Sequence, residues 1–498
     1  MRTLRSVRSA LLLLLLLTAV APLALQALQA QGGAITLSLD EAIGLAKRNN
    51  PSYLQLVNSR TRADANLRAA YGSFMPTAST NLGTGFRQGK QEIVSGVAFG
   101  STSDILSSSW GLNVSYNFSA RTLTNLRAAR AAIEAADADI ANANQQLRSV
   151  VVQEYVAVLQ RQAQAALQDT LVVFNQLQLD LAKAKAGVGT ATSLDVIRAE
   201  VALGTQQVAA LRAHNDENVE RLRLYQQLGV PAVDNVTLNS TLPITEPSGD
   251  LAQLLGMAQK TNASLLSLRQ RQVVADQSFR AAQGGYLPTF FASAGLGGSQ
   301  QKYTDVNYLL SQGTAQAASA KASCFTQDSL RRGAGMTGIS SCGAISFSAA
   351  QADAVRASNS QWPFSFNSNP LTLSFGVSLN LFDGFNRERT LQSAAADQSD
   401  ARYNIRAQEL KLTADVSQAF STLSADFRVL KLQDQNSTAA RQALQLAQER
   451  YRVGLNSLVD LQQARADFDR AETDRINSIF EYHRAFAALE SAVGRPLR

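Results

Sequence analysis

The sequence predicts an α+β membrane protein: a tandem-duplicated unit with four transmembrane β-strands per chain, continued by long α-helical coiled-coil hairpins. Three observations carry that reading. The stretch "LTLSFGVSLNLF", Leu371 to Phe382, alternates apolar and polar residues without a break, and Trp110 to Phe118 does the same. Strict period-two alternation marks a strand with one apolar and one polar face. The segment "ADANLRAAYGSFMPT" (Ala63 to Thr77) recurs as "ADQSFRAAQGGYLPT" (Ala275 to Thr289), so the chain is written twice. Neither Gly nor Pro occurs between Gly111 and Gly187 or between Gly384 and Gly454, and these intervals are rich in Ala, Gln, Leu, Arg and Glu. Such runs predict very long helices.

The chain begins with Arg2, Arg5 and Arg8, an apolar run from Ala10, and small and polar residues around Ala30. That pattern predicts a secretory signal peptide over residues 1–30; the alternative is an uncleaved anchor helix, which Pro22 and Gln26 interrupt early. Removing residues 1–30 takes away three arginines and no acid, lowering the net charge from +7 to +4. A mild excess spread along the chain is no nucleic-acid footprint. No later stretch reads as a transmembrane helix, so deep contact with a membrane has to come from strands. Cys324 and Cys342 are the two cysteines. In an exported protein they are expected to form one disulfide closing a loop, with two free thiols as the alternative.

The predicted organisation is a first repeat over 31–230, a Pro-containing linker over 231–250, and a second repeat over 251–498. A loop insertion over 299–369 carries both cysteines, and the two repeats form one structural unit. Each repeat opens with a pair of short amphipathic helices, Leu39 to about Ser73 and Leu251 to about Gly284, terminated by Pro76 and Pro288. Two strands follow: about Thr77 to Phe86 with Trp110 to Phe118, and about Thr289 to Gly298 with Leu371 to Phe382. Then comes a long helix, in which Val416, Phe420, Leu423, Phe427 and Leu430 step by four and three as in a coiled-coil seam. A "VG" turn reverses the chain into a second long helix, about Ser193 to Leu228 and Ser457 to Val493.

Four strands cannot enclose a water-filled lumen. Open strand edges cannot sit in lipid, because unpaired backbone groups there cost several kcal/mol each. The chain must therefore oligomerise: a dimer gives eight strands, a trimer twelve. In such a barrel the apolar row of the opening stretch faces lipid and Thr372, Ser374, Ser378 and Asn380 face the lumen. Trp110 and Trp362 near strand starts, and Phe382 and Phe385 near a strand end, fit interfacial aromatic girdles.

The order of these parts, together with the "LSLDEAIGLAKRNNP" opening and the tips "AGVGTATSLDVIRAE" and "YRVGLNSLVDLQQARADF", resembles the TolC-type outer-membrane efflux proteins over essentially the whole mature chain. The resemblance implies a homotrimer whose twelve strands form one outer-membrane barrel continuing into a periplasmic helical tunnel. It implies a passive duct of a tripartite efflux or type I secretion system, exporting small molecules, ions or proteins. Its partners would be outer-membrane lipid, a periplasmic adaptor (membrane fusion) protein and, through it, an inner-membrane pump. A periplasmic coiled-coil scaffold or adaptor with a soluble β-region is the alternative.

Asp195 and Asp460 occupy equivalent positions after the two turns. Locally, Thr192 to Asp195 and Ser457 to Asp460 each fit a capping box. The resemblance adds a second role, since the family's closed periplasmic aperture uses acids at these positions and a tyrosine matching Tyr451. An aperture arginine corresponds here to Asn456 and a further aspartate to Gln463. By the same resemblance Val188, Gly189, Thr190, Val453, Gly454 and Leu455 are expected to dock the adaptor, although glycine at a helix reversal already has a structural explanation. No enzyme is expected. His214 and His483 are not repeat-equivalent and read as solvated helix positions, and there is no Walker sequence and no metal-ligand spacing. "AGVGTATS" follows a helix, whereas a phosphate cradle follows a strand. Neither cofactor nor metal is expected.

Overall fold

The structure is a computed structural model that describes residues 35–95, 97–232, 236–239, 242–246 and 250–497. The predicted signal peptide and parts of the predicted linker lie outside the described residues. The chain divides into two compact units, each drawing on both repeats.

One unit comprises the described residues up to Ala63, Ala132–Val273 and Ser399–Arg498. It is helical apart from two short strands, β1 (Ile35–Leu37) and β6 (Val236–Leu238), which pair in parallel. Part of the Pro-containing linker thus forms a strand, and three-residue strands carry no periodicity by which a sequence betrays them. Helix α1 (Leu39–Asn49) starts in a capping box, with Ser38 N–H donating to Glu41 Oε2 at 2.8 Å and Glu41 N–H to Ser38 Oγ at 3.3 Å. Asn50 separates α1 from α2 (Pro51–Gly72): its amide donates to Gln227 O at 2.8 Å and its Oδ1 accepts from Tyr53 N–H at 3.0 Å. The second repeat copies the joint between α5 (Leu251–Thr261) and α6 (Ala263–Gln283), where Asn262 donates to Ala492 O and accepts from Leu265 N–H, both at 3.0 Å.

The long helices are α3 (Ala120–Gly187), α4 (Ser193–Leu228), α9 (Asn386–Arg452) and α10 (Leu458–Val493). The predicted seam is present: Val416 and Leu423 are fully buried, and Phe420, Phe427 and Leu430 pack against them. A buried tyrosine in each repeat ties down a preceding segment, Tyr155 Oη donating to Leu37 O at 2.8 Å and Tyr482 Oη to Thr245 O at 2.5 Å. One sequence expectation is corrected. His483 is 2% exposed and packs edge-on against Tyr482, with ring centroids 5.2 Å apart. The C-terminal turns of α10 are covered on several faces, at Tyr482, Ala485, Phe486, Ala487 and Leu489, so a single polar stripe does not run through them. His214 stands at an exposed position with Nε2 3.0 Å from Asp169.

The other unit comprises Asp64–Ala131 and Val274–Gln398. Its centre is an antiparallel sheet in the order β2 (Thr77–Arg87), β5 (Ile105–Ser119), β7 (Thr289–Tyr303), β8 (Asn367–Ser378). A small hairpin, β3 (Lys90–Val94) and β4 (Val97–Ser101), lies between β2 and β5 in sequence. Register assigns each residue to a face, because directly opposed residues share one. Val114, Ala294 and Leu373 are opposed, as are Tyr116, Ala292 and Phe375, and Phe118, Phe290 and Val377. Ser115, Ser293 and Ser374 lie between them on the opposite face, followed by Asn113, Gly295 and Thr372. The apolar rows run from Trp110 to Phe118, about 27 Å of strand, which suits a tilted membrane-spanning strand. Leu371, Leu373, Phe375 and Val377 are 58–77% exposed, so this face has no core of its own chain beneath it.

Two details depart from the sequence reading. The alternation continues to Phe382, but the ladder stops at Ser378, so Asn380 and Phe382 stand outside the strand. Arg387 takes the carbonyl of Leu381 at 3.1 Å and pairs with Asp383 at 3.2 Å, and positive φ at Gly384 and Phe385 turns the chain into α9. The predicted insertion loop instead contains two helices, α7 (Val306–Gly333) and α8 (Ala349–Ser360), their starts capped by Asp305 and Ser348. A disulfide joins Cys324 in α7 to Cys342. The insertion covers the outer end of the apolar face: the opposed Ser108 and Gln300 are buried there, donating to Pro363 O at 2.6 Å and Ser358 O at 3.0 Å. Asn359 completes the edge of β7 beyond β8 by bonding both N–H and C=O of Tyr303.

Candidate functional site at the hairpin tips

Both hairpins turn by the same device. Gly189 (φ 78°) and Gly454 (φ 84°) sit in the left-handed region where glycine is unstrained. The amides of Thr190 and Leu455 reach back to Lys185 O at 2.9 Å and Arg450 O at 2.8 Å, closing the ends of α3 and α9. The returning helices open in two equivalent capping boxes. Thr192 N–H and O–H donate to Asp195 Oδ2 at 3.0 and 2.8 Å, and Ser457 N–H and O–H to Asp460 Oδ2 at 3.1 and 2.9 Å. Val188, Val453 and Leu455, all flanking these glycines, are exposed. The tips therefore present apolar side chains to their surroundings.

The acids are not equivalent in their surroundings. Asp195 is half-buried and Asp460 exposed. Hydrogen bonds from Thr192 hold the Asp195 carboxyl below its ordinary range. Tyr451 is buried, and that burial, with the negative charge of Asp195 nearby, pushes its hydroxyl up. A depressed acid stabilises the fold above the ordinary carboxylate range, and the benefit disappears as pH falls through the depressed value. Protection of the amides at the start of α4, measured against their intrinsic exchange rate at each pH, is accordingly expected to fall on acidification, and Asp195→Asn to remove that pH dependence. A protection profile of the variant that still follows pH like the parent would show that the cap does not titrate.

Residues that no sequence spacing marked join the two hairpins. Lys185 Nζ donates to Tyr451 O at 2.5 Å and lies 3.9 Å from the centre of its ring. Farther from the tips Arg465 donates to Gln206 Oε1 at 2.6 Å, and Gln206 to Gln168 Oε1 at 2.6 Å. Burial pushes Asp469 up and Arg465 down. The backbone N–H of Asn456 donates to Arg450 O at 3.4 Å, and the Gln463 side chain donates to Asp467 Oδ1 at 3.0 Å.

On the sheet, Trp110 is half-buried in the uppermost apolar row, and Trp362 lies in the turn after α8. Phe382 and Phe385 are exposed and packed edge to face, with centroids 5.4 Å apart.

One four-stranded sheet with a lipid-compatible face, two strands from each repeat, in a chain that also carries two long helical hairpins, defines an outer-membrane channel-type chain. The family model of the outer membrane efflux proteins matches residues 42–230 and 309–495, and the chain belongs to that family. It is thus a protein of the outer membrane extending into the periplasm, and the reading as a soluble periplasmic scaffold falls. Outer membrane protein TolC of Escherichia coli (strain K12) is 23% identical over 324 residues, 64% of this chain. That match spans only 55% of the relative's own length. Among solved structures, the outer-membrane channel OprN has a TM-score of 0.67 at 18% identity, covering 92% of this chain and 90% of that one. The CmeC outer membrane channel of Campylobacter jejuni has a TM-score of 0.68 at 14% identity, covering 92% and 85%. Among the described residues no helix is long and apolar enough to cross a membrane.

Proposed function

We propose that three copies of this chain form a passive exit duct across the outer membrane and periplasm, closed at the hairpin tips. The observation that carries this reading is the sheet: one face apolar, the other lined by Ser, Thr, Asn and Gly, and no further strand on the outer edges of β2 and β8 among the described residues. Edge-to-edge pairing of three copies satisfies both edges, turns the apolar rows to lipid and leaves Thr372, Ser374 and Ser378 on a water-filled lumen. Trp110 and Trp362 then mark the outer interface, and Phe382 and Phe385 the periplasmic one. A duct without energy-transducing machinery takes its direction from partners. The exposed residues Val188, Gly189, Thr190, Val453, Gly454 and Leu455 suit the helical hairpins of a periplasmic adaptor, which links the duct to an inner-membrane pump. Small molecules, ions or proteins are the classes of cargo such a system carries.

In the trimer the three Asp195 and three Asp460 carboxylates converge with Tyr451 at the closed end, an acidic ring that favours cations. Planar-bilayer recording tests this. Asp460→Ala is expected to raise single-channel conductance and to weaken block by multivalent cations about tenfold, the effect of losing about 1.4 kcal/mol of binding. Currents and block identical to the parent would remove the tips from gating, and a soluble, pore-inactive protein would overturn the duct.

A further inference from the structure

We propose that Lys185 is a positioning residue of the closed tip, holding the second hairpin of each chain against the first through Tyr451. This rests on the reading of the tips as the closed end of the duct. Lys185 belongs to the last turn of α3 and Tyr451 to the last turn of α9. The ammonium makes two contacts at once, with the ring face at 3.9 Å and the carbonyl oxygen at 2.5 Å. That carbonyl is one of the terminal acceptors a helix leaves without an internal partner, where a cation is favoured by the helix dipole. The same oxygen also accepts the N–H of Gly454 at 3.2 Å, so Lys185 grips an acceptor that the second turn itself uses.

The arrangement is one-sided. The repeat counterpart of Lys185 is Arg450, and that of Tyr451 is Ala186, which offers no ring for a reciprocal stack. The duplication has thus diverged so that the first hairpin supplies the cation and the second the aromatic. Tyr451 is 6% exposed beneath that ammonium, and Leu444, Ala447, Leu458 and Leu461 complete its cluster. Separating α9 from α3 at the tip breaks both Lys185 contacts together. Asn456, the position where the resemblance expects an arginine, carries no charge with which to replace them.

The experiment compares Lys185→Met, which keeps the aliphatic stem but neither charge nor donors, with Lys185→Arg, which keeps both. Purified trimers are recorded in planar bilayers beside Asp460→Ala, and trimer melting is followed in detergent. Lys185→Met is expected to raise the open fraction roughly three- to thirtyfold, the factor given by a lost cation–π contact. Lys185→Arg is expected to stay closed like the parent, and trimer melting to remain near the parent value for both. Adding Tyr451→Leu to Lys185→Met is expected to open the channel little further, because the two residues act as one contact. If Lys185→Met stays as closed as the parent while Asp460→Ala conducts more, the clasp is wrong and the gate stands. If neither changes the currents, the gate reading itself fails. If Lys185→Met lowers trimer melting as much as it raises conductance and Lys185→Arg fails to restore closure, the role is general packing and the proposal is overturned.

Discussion

Leu373→Arg is expected to abolish recovery of the protein as an outer-membrane trimer, whereas Ser374→Arg, the next residue on the same strand, leaves the trimer in place. Leu373 lies in the central apolar row, opposed to Ala294 and through it to Val114 and Ala78. It is 58% exposed in the single chain, and an exposed leucine on a soluble sheet tolerates arginine at a cost within about 0.5 kcal/mol. At the middle of a bilayer the same substitution costs about 2–4 kcal/mol per copy, and a trimer incurs it three times. Ser374 shares its face with Ser293 and Ser115, the face proposed to line the lumen, where a guanidinium would stay in water. Fractionation and the trimer band on unheated gels measure both variants. Equal tolerance of the two substitutions would remove the membrane assignment of the faces, and loss of the Ser374 variant alone would invert it.

Gly229→Val is expected to destabilise the protein by more than about 3 kcal/mol, with Gly494→Val similar. Gly229 ends α4 at φ 70° and Gly494 ends α10 at φ 89°, a region β-branched residues avoid. Space is also missing. A Cβ at Gly229 meets the carbonyl oxygen of Asn49 at 2.5 Å, and one at Gly494 meets that of Thr261 at 2.6 Å. Neither carbonyl is free to retreat, because Asn50 and Asn262 bind the ends of α4 and α10 across the same joints. Gly454→Ala provides the control, having a similar φ but open space around it, and is expected to cost only about 1–2 kcal/mol of backbone strain. Denaturant midpoints in detergent compare the three. A Gly229 variant no less stable than the Gly454 variant would show that the joint yields.

The parts legible in the sequence are those whose signal is local and repeated. Long helices are announced by the absence of Gly and Pro, the sheet faces by alternation, and both capping boxes by residues three apart. The parts that were not legible depend on residues far along the chain or on segments too short to show a period. The parallel pair Ile35–Leu37 with Val236–Leu238 is of the second kind. The end of β8 is decided by Arg387 capturing Leu381 O, which no alternation reports. The insertion reads as a loop because its Gly and Ser content hides the Ala- and Gln-rich stretches that fold as α7 and α8. At the tips, Asp195 and Asp460 could be named from spacing, but Lys185 could not. Its partner is 266 residues away, and nothing around "KAKAG" distinguishes it from a solvated lysine.

The sharing of each compact unit between both repeats bears on how the chain is made. Leu167 and Leu171 of the first repeat are buried with Ile476 of the second, and Leu254 and Leu265 with residues up to Val493. A chain delivered from its N-terminus therefore emerges with apolar helix faces whose covers are the last segment to arrive. Closing contacts over so much chain is slow, and surfaces waiting for a late partner are prone to aggregate. Nascent copies thus spend their most vulnerable interval with a finished first hairpin and no lid for it.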